Sequence, residues 1–263
     1  MAGRVIVITG ASSGIGAALA VQLGRGGDLL ALCARREQEL KKVASQSGTR
    51  ALTVVSDVTK RRDVERLRDA ALTEFGRIDV WVNNAGRGIN RFVSELTDED
   101  VRSTVDSVLM STLYGMQAIL PHFKERGKGH IINVSSFLGR VPITTYRSIY
   151  SASKSAVNVI SANLRMELHR KYPQIHVSAV MPGIVDTPFH EIATPPLPAR
   201  AGEMLWGSKV ESADDVATRI ISLIDNPVAE LYTNPEAYHI VEAYFRDVSA
   251  FEDELAKRQM RSS

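Results

Sequence analysis

The sequence has little of what marks several protein classes. Cys33 is its only cysteine, so an intramolecular disulfide and a cysteine-rich metal site are both excluded. The thiol lies in an apolar run, where inert packing is expected of it. No stretch approaches the run of about 18 apolar residues that a transmembrane helix needs. The Val5 to Ile8 run stops at Thr9-Gly10, too soon for the apolar core of an export signal, and a cytoplasmic location is expected. Charge of one sign is lacking as well: 32 Lys and Arg stand against 30 Asp and Glu, a formal net charge of +2. Such scattered charges argue against nucleic acid or an anionic membrane as the partner. No internal repeat or low-complexity segment occurs. A hydrophobic fraction of 44% and a charged fraction of 24% over 263 residues predict one globular domain spanning 1–263.

What is present begins with a strand, a glycine turn and a helix. Arg4 to Thr9 is rich in Val and Ile, as a strand buried on both faces should be. It runs into Gly10-Ala11-Ser12-Ser13-Gly14-Ile15-Gly16, and Ala17 to Leu23 reads as a helix. Glycines let a backbone turn tightly against a pyrophosphate, whose charge the free N–H groups and dipole of the next helix favour. The spacing is G-x-x-x-G-x-G instead of G-x-G-x-x-G, and a plain tight turn is the bland alternative. A second apolar run, Leu29 to Ala34, ends at Arg35-Arg36. An acidic residue at that place accepts the ribose hydroxyls of NAD, whereas an arginine accommodates the extra phosphate of NADP. Arg35 is the candidate; Arg36 reads equally well as a solvated residue at a helix start.

Further apolar runs at Ala51 to Ser56, Ile78 to Val82, His130 to Val134, Ile175 to Met181 and Ala229 to Tyr232 are separated by helical patterns. Those helices reach about Phe75 with Thr59 as N-cap, run from Thr97 to about Arg126 with Pro121 kinking or closing the last turns, run from Tyr150 to about Lys171, and start again at Ser212. The alternation predicts a doubly wound α/β fold of Rossmann type, with about seven parallel strands and helices on both faces. Several strands end in residues too polar or too turn-prone to continue: Asp57-Val58, Asn83-Asn84-Ala85-Gly86, Ser135-Ser136 and Pro182-Gly183. In open α/β sheets such carboxyl ends line the ligand crevice. Residues 187–208 carry Pro188, Pro195, Pro196 and Pro198, too many for a core helix, and are expected to form a substrate lid. The tail at 235–259 places Ile240, Val241, Tyr244, Phe245, Val248, Phe251 and Leu255 at helical spacings, which predicts helix used for packing or subunit contact.

Tyr150 and Lys154, four residues apart on a predicted helix, share one face. A phenol of reference pKa about 10 is a poor proton donor or acceptor near neutrality. A cation about 4 Å away, at an effective dielectric of about 20, favours its ionised form by up to roughly 4 kcal/mol. Alone, the pair also reads as an exposed helical ion neighbour.

Together these motifs resemble the short-chain dehydrogenase/reductase family in its single-domain form, over residues 4–232. The resemblance rests on Thr9 to Gly16 as T-G-x-x-x-G-I-G, Asp57, Asn83-Asn84-Ala85-Gly86, the serine after the fifth strand, Tyr150 with Lys154, and Pro182-Gly183 with Thr187. It implies that Tyr150 is the general acid in carbonyl reduction and the base in alcohol oxidation, that Lys154 lowers its pKa and holds the nicotinamide ribose, and that a serine polarises the substrate oxygen. Ser136, three residues before Gly139, is preferred to Ser135; Tyr150 is preferred to Tyr146, which has no lysine four residues on. By the same resemblance Gly10, Ser12, Ser13, Gly14, Ile15 and Gly16 surround the pyrophosphate, and Arg35 meets the 2′-phosphate. Asp57 and Val58 meet the adenine, Asn83, Ala85 and Gly86 the adenosine side, and Pro182, Gly183, Ile184 and Thr187 the nicotinamide half.

With Ala34 where NAD-specific members carry an acid, NADP(H) is expected over NAD(H), together with a small carbonyl or alcohol substrate and no metal. The helices at 98–126 and 150–171 resemble the pair through which the family forms dimers and tetramers, so a homo-oligomer is expected. Two departures stand out. Val108 falls where the family commonly has an Asn that holds a water linking the Lys to solvent, and the loop from Ser136 to Tyr150 is one residue longer. A catalytically weak NADP(H)-binding regulator or scaffold is therefore the alternative function. An epimerase or dehydratase of the extended branch is a weaker third reading, opposed by the short C-terminal part.

Overall fold

The computed structural model describes residues 3–189 and 210–262. The predicted lid beyond Phe189 lies outside them. The chain alternates β1 (Val5–Thr9), α1 (Gly14–Arg25), β2 (Leu29–Ala34), α2 (Glu37–Gln46), β3 (Ala51–Val55), α3 (Arg61–Phe75) and β4 (Val80–Asn83). Then follow α4 (Asp98–Val105), a π-helical turn (Asp106–Met110), α5 (Ser111–Arg126), β5 (Gly129–Val134), α6 (Ser148–Leu168) and β6 (Ile175–Met181). The last part holds β7 (Val185–Asp186), β8 (Glu211–Ser212), α7 (Ala213–Asp225), β9 (Glu230–Tyr232), α8 (Pro235–Arg246) and α9 (Val248–Ser262).

Seven strands form a parallel sheet in the order β3-β2-β1-β4-β5-β6-β9. Side chains alternate across it because the strand period is two. Ile6 and Ile8 of β1 face α1 and α7 in one apolar layer, while Val5 and Val7 face α3, α5 and α6 in the other. The direction of winding reverses between β1 and β4, and that reversal opens a crevice at their carboxyl ends. The predicted doubly wound sheet is the one observed.

Local departures from the sequence reading have identifiable causes. Thr59 is not the cap of α3: its hydroxyl and its N–H both donate to Asp57 Oδ1 (2.8 and 3.1 Å), an Asx-type turn that leaves Lys60 at the cap position. Thr97 does cap α4, its hydroxyl accepting from Asp100 N while the Asp100 carboxylate receives Thr97 N. The long helix predicted from there is interrupted by the π turn, and Pro121 lies inside α5 without ending it. The tail is two helices broken at Asp247. Its Ala237, Val241 and Leu255 pack against Phe137, Val141 and Ile143 of the loop after β5, so the tail braces one wall of the crevice.

Candidate active site

The crevice begins where β1 ends. Thr9 Oγ1 accepts from the N–H groups of Asn84 and Ala85 (3.0 and 3.1 Å), and Asn84 Nδ2 donates to the carbonyls of Thr9 and Gly10 (2.9 and 3.2 Å). The glycine turn and the turn after β4 are thus clamped together. Gly10 has φ +67°, and a Cβ there would lie 2.8 Å from Ala85 Cα, so both conformation and space demand glycine.

A cavity of about 1240 Å³ runs from this turn along the carboxyl ends of the strands. Gly10, Ser12, Ser13, Gly14, Ile15, Arg35, Asp57, Val58, Ala85, Gly86, Ser136, Tyr150, Lys154, Pro182, Gly183, Ile184 and Thr187 all line it. Two predicted residues do not. Gly16 sits behind the turn, packed against the Gly10 carbonyl. The Asn83 side chain, 4% exposed, accepts from Trp81 Nε1 (2.8 Å) and donates to Asn133 Oδ1 (2.9 Å), and Asn133 Nδ2 in turn donates to Ser161 Oγ (2.8 Å). Strand alternation turns Asn83 into the core, where only this network satisfies its amide; Asn84 lines the cavity in its place.

Four further contributors join the predicted ones. Arg36, which the sequence left open between a phosphate contact and a solvated helix start, reaches back so that Nη2 donates to Ser12 Oγ and Ser13 Oγ (3.1 and 2.7 Å). Glu211 Oε2 accepts from Gly183 N (3.2 Å) and Thr233 Oγ1 (2.7 Å), which fixes the Pro182-Gly183 turn from a strand far along the chain. Phe189 places its ring 5.6 Å from that of Tyr150. Arg147 stacks over both rings, 5.7 and 5.5 Å from their centroids. Besides Arg36 at the end of β2, Arg147 had a local signal, its place one helical turn before Tyr150.

Geometry separates the two serines. The Ser135 hydroxyl donates to the Lys154 carbonyl (3.2 Å) and so braces α6, whereas Ser136 Oγ accepts from Leu138 N (3.2 Å) and lines the same cavity as Tyr150. Lys154 Nζ donates to the Val134 carbonyl (2.7 Å) and lies 5.7 Å from the Tyr150 ring centroid. Val108 is fully buried against Ile89, Tyr150 and Val157, and its carbonyl accepts from the Thr112 hydroxyl (2.8 Å).

Residues 4–196 match the family described as short chain dehydrogenase. The chain belongs to the short-chain dehydrogenase family. An uncharacterized oxidoreductase of Staphylococcus epidermidis is 37% identical over 188 residues, 72% of this chain and 80% of that protein. Among solved structures, a short-chain dehydrogenase/reductase from Burkholderia phymatum in complex with NAD superposes with a TM-score of 0.85 at 26% identity, covering 94% of this chain and 95% of that one. An alcohol dehydrogenase from Thermococcus sibiricus complexed with 5-hydroxy-NADP gives 0.75 at 29% identity, over 87% and 95%.

For this short-chain dehydrogenase, an oxidoreductase by family, the electrostatics of the pair at 150 and 154 differ from the simple expectation of a depressed phenol. Burial pushes Tyr150 up to about 12, against the opposite pull of Arg147 and of the Ser136 hydrogen bond. Burial also brings Lys154 down to about 8. Desolvation outweighs attraction because both groups are removed from water. No described group of His, Cys, Asp and Glu side chains is arranged to hold a metal ion, and no described helix is long and apolar enough to cross a membrane.

Proposed function

We propose that the protein is an NADP(H)-dependent oxidoreductase that transfers a hydride between nicotinamide and a small carbonyl or alcohol substrate. One observation carries the reading: Ser136, Tyr150 and Lys154 meet in the same cavity as the glycine turn and the Arg35-Arg36 pair. The residues fit a dinucleotide. The turn at Gly10 to Gly14 presents backbone at the start of α1, as a pyrophosphate requires. Gly86 lies beside Lys154, a Cβ there coming 3.9 Å from Nζ. Ser12, Ser13, Arg35 and Arg36 form a hydroxyl and guanidinium cluster at the end of β2, with no carboxylate at position 34, and that chemistry suits a 2′-phosphate.

Bound NADPH supplies the hydride. The protein's part in reduction is to orient and to move a proton. Ser136 donates a hydrogen bond to the substrate oxygen, Tyr150 gives its proton to the alkoxide as it forms, and Lys154 stabilises the phenolate left behind. In alcohol oxidation the same phenolate takes the proton. We further propose self-association through α5 and α6, because Val159 and Met166 of α6 are apolar and exposed.

The test is a carbonyl panel scored by NADPH oxidation and by NADH oxidation in parallel. Turnover on members of the panel with preference for NADPH is expected. Tight NADPH binding with silence throughout would replace this reading by the regulator or scaffold.

A further inference from the structure

Arg147 belongs to none of the motifs that carry the family resemblance, yet its position is built with care. Arg147 N donates to Thr144 O (2.8 Å), Arg91 N donates to Tyr146 O (2.7 Å), and residues 91 and 147 pair as a parallel bridge. The Ser148 hydroxyl donates to Arg91 O (2.8 Å). The loop after β4 is therefore fastened to the start of α6 at this residue. Its side chain is 4% exposed and turns inward over Tyr150 and Phe189. The room comes from Gly88: a Cβ there would lie 2.2 Å from Arg147 Nη1 and 2.9 Å from the Phe189 ring. Any larger residue at 88 would displace the guanidinium.

Burying a guanidinium carries a desolvation cost, and here it is buried against the group that must exchange a proton. Lys154 is a conditional cation, because burial brings it to about 8. Arg147 is also lowered by burial, but an arginine remains charged over the whole working range of an enzyme. Other ionisable groups among the described residues line the same cavity. Tyr146 and Lys154 flank Tyr150 in sequence; Arg87 lies on the loop after β4, Asp106 on the π turn, Asp186 on β7 and Glu211 on β8, with Arg35, Arg36 and Asp57 at the ends of β2 and β3. Among the described residues, Arg147 is the charge that acts on Tyr150 appreciably. A cation over an aromatic face is also attracted by the ring itself, which fixes the ring's orientation.

Building on the hydride-transfer reading, we propose that Arg147 is a positioning residue for that reaction, a second cation that acts through Tyr150 by holding its ring and stabilising the charge left when the proton departs.

The experiment titrates the phenolate of Tyr150 by ultraviolet absorbance, as the difference between each protein and its Tyr150→Phe counterpart, with and without NADP. Arg147→Gln is expected to raise the midpoint by about one unit, roughly tenfold less phenolate at a given pH, and Arg147→Lys to recover at least half of that. In steady state on any active substrate, the limb of the kcat profile that reports Tyr150 moves the same way, while KM stays within about twofold. A midpoint unmoved in Arg147→Gln overturns the role. If that variant does not fold, Gly88→Ala, which crowds the guanidinium, is expected to raise the midpoint too, and an unmoved midpoint there overturns it equally. The titration needs no substrate, so an enzyme silent on every carbonyl would defeat the hydride-transfer reading without obscuring this one.

Discussion

Tyr150 and Lys154 were legible as a pair from spacing alone, but their environment was not. Four-residue spacing gives a shared helical face and says nothing about burial, which in the structure dominates both groups. Of the two serines, Ser135 gives its hydroxyl proton to the Lys154 carbonyl, and Ser136 stays the one proposed to orient the substrate. Asn83 could not be placed correctly from its motif, because a single step along a strand decides between crevice and core. At the nucleotide end, the sequence singled out Arg35 while the structure brings Arg36 onto Ser12 and Ser13. Both arginines line the cavity, so Arg35→Ala and Arg36→Ala are each expected to weaken NADPH by roughly tenfold or more, the size of a lost charge-assisted hydrogen bond, and NADH by less than about threefold. Equal losses for the two nucleotides, measured by fluorescence titration, would remove that arginine from the phosphate site.

At the level of elements, strands and helices followed from apolar runs and periodicity, and the capping of α4 by Thr97 and α7 by Ser212 followed from residue type. The π turn at Asp106–Met110 did not. One extra residue in a helix leaves the apolar pattern almost unchanged, so nothing local announces it. Its effect is to set Val108 against Tyr150 in an apolar cluster with Ile89 and Val157. Restoring the family's commoner residue is therefore expected to harm this fold: Val108→Asn buries an amide among hydrocarbon and should lower stability by about 1–3 kcal/mol. Urea unfolding that shows an unchanged or higher midpoint would mean that a polar partner waits at that site. Removing the cap, Thr97→Ala, should cost about 1 kcal/mol in the same assay.

At the scale of the whole molecule, the alternation of elements was enough for a doubly wound sheet, since parallel strands need helical crossovers and those crossovers cover both faces. Contacts between distant segments, such as Glu211 on Gly183 or the tail on the loop after β5, stayed hidden because they depend on tertiary placement. One long-range contact also predicts how the molecule responds to acid. His130 of β5 is buried, and its Nε2 donates to Ser178 Oγ (2.8 Å), whose own proton goes to the Val228 carbonyl. Burial, helped by neighbouring His176, lowers its pKa to about 3. The unfolded chain binds a proton near pH 6.5 that the folded one refuses, so stability should decline as pH falls from about 6.5 to about 3, by a few kcal/mol in all. His130→Gln should flatten that slope in unfolding curves taken across the range, and an unchanged slope would shift the cause to other groups. Light scattering is expected to show a dimer or tetramer, and a monomer at all concentrations would contradict association through α5 and α6. The most direct measurement compares NADPH oxidation by the wild type and by Tyr150→Phe on one active carbonyl. Turnover is expected to fall by about a hundredfold or more while NADPH affinity stays within roughly threefold. A variant that keeps most of its turnover would contradict proton transfer by Tyr150, and with it the reading of this crevice as a reductase site.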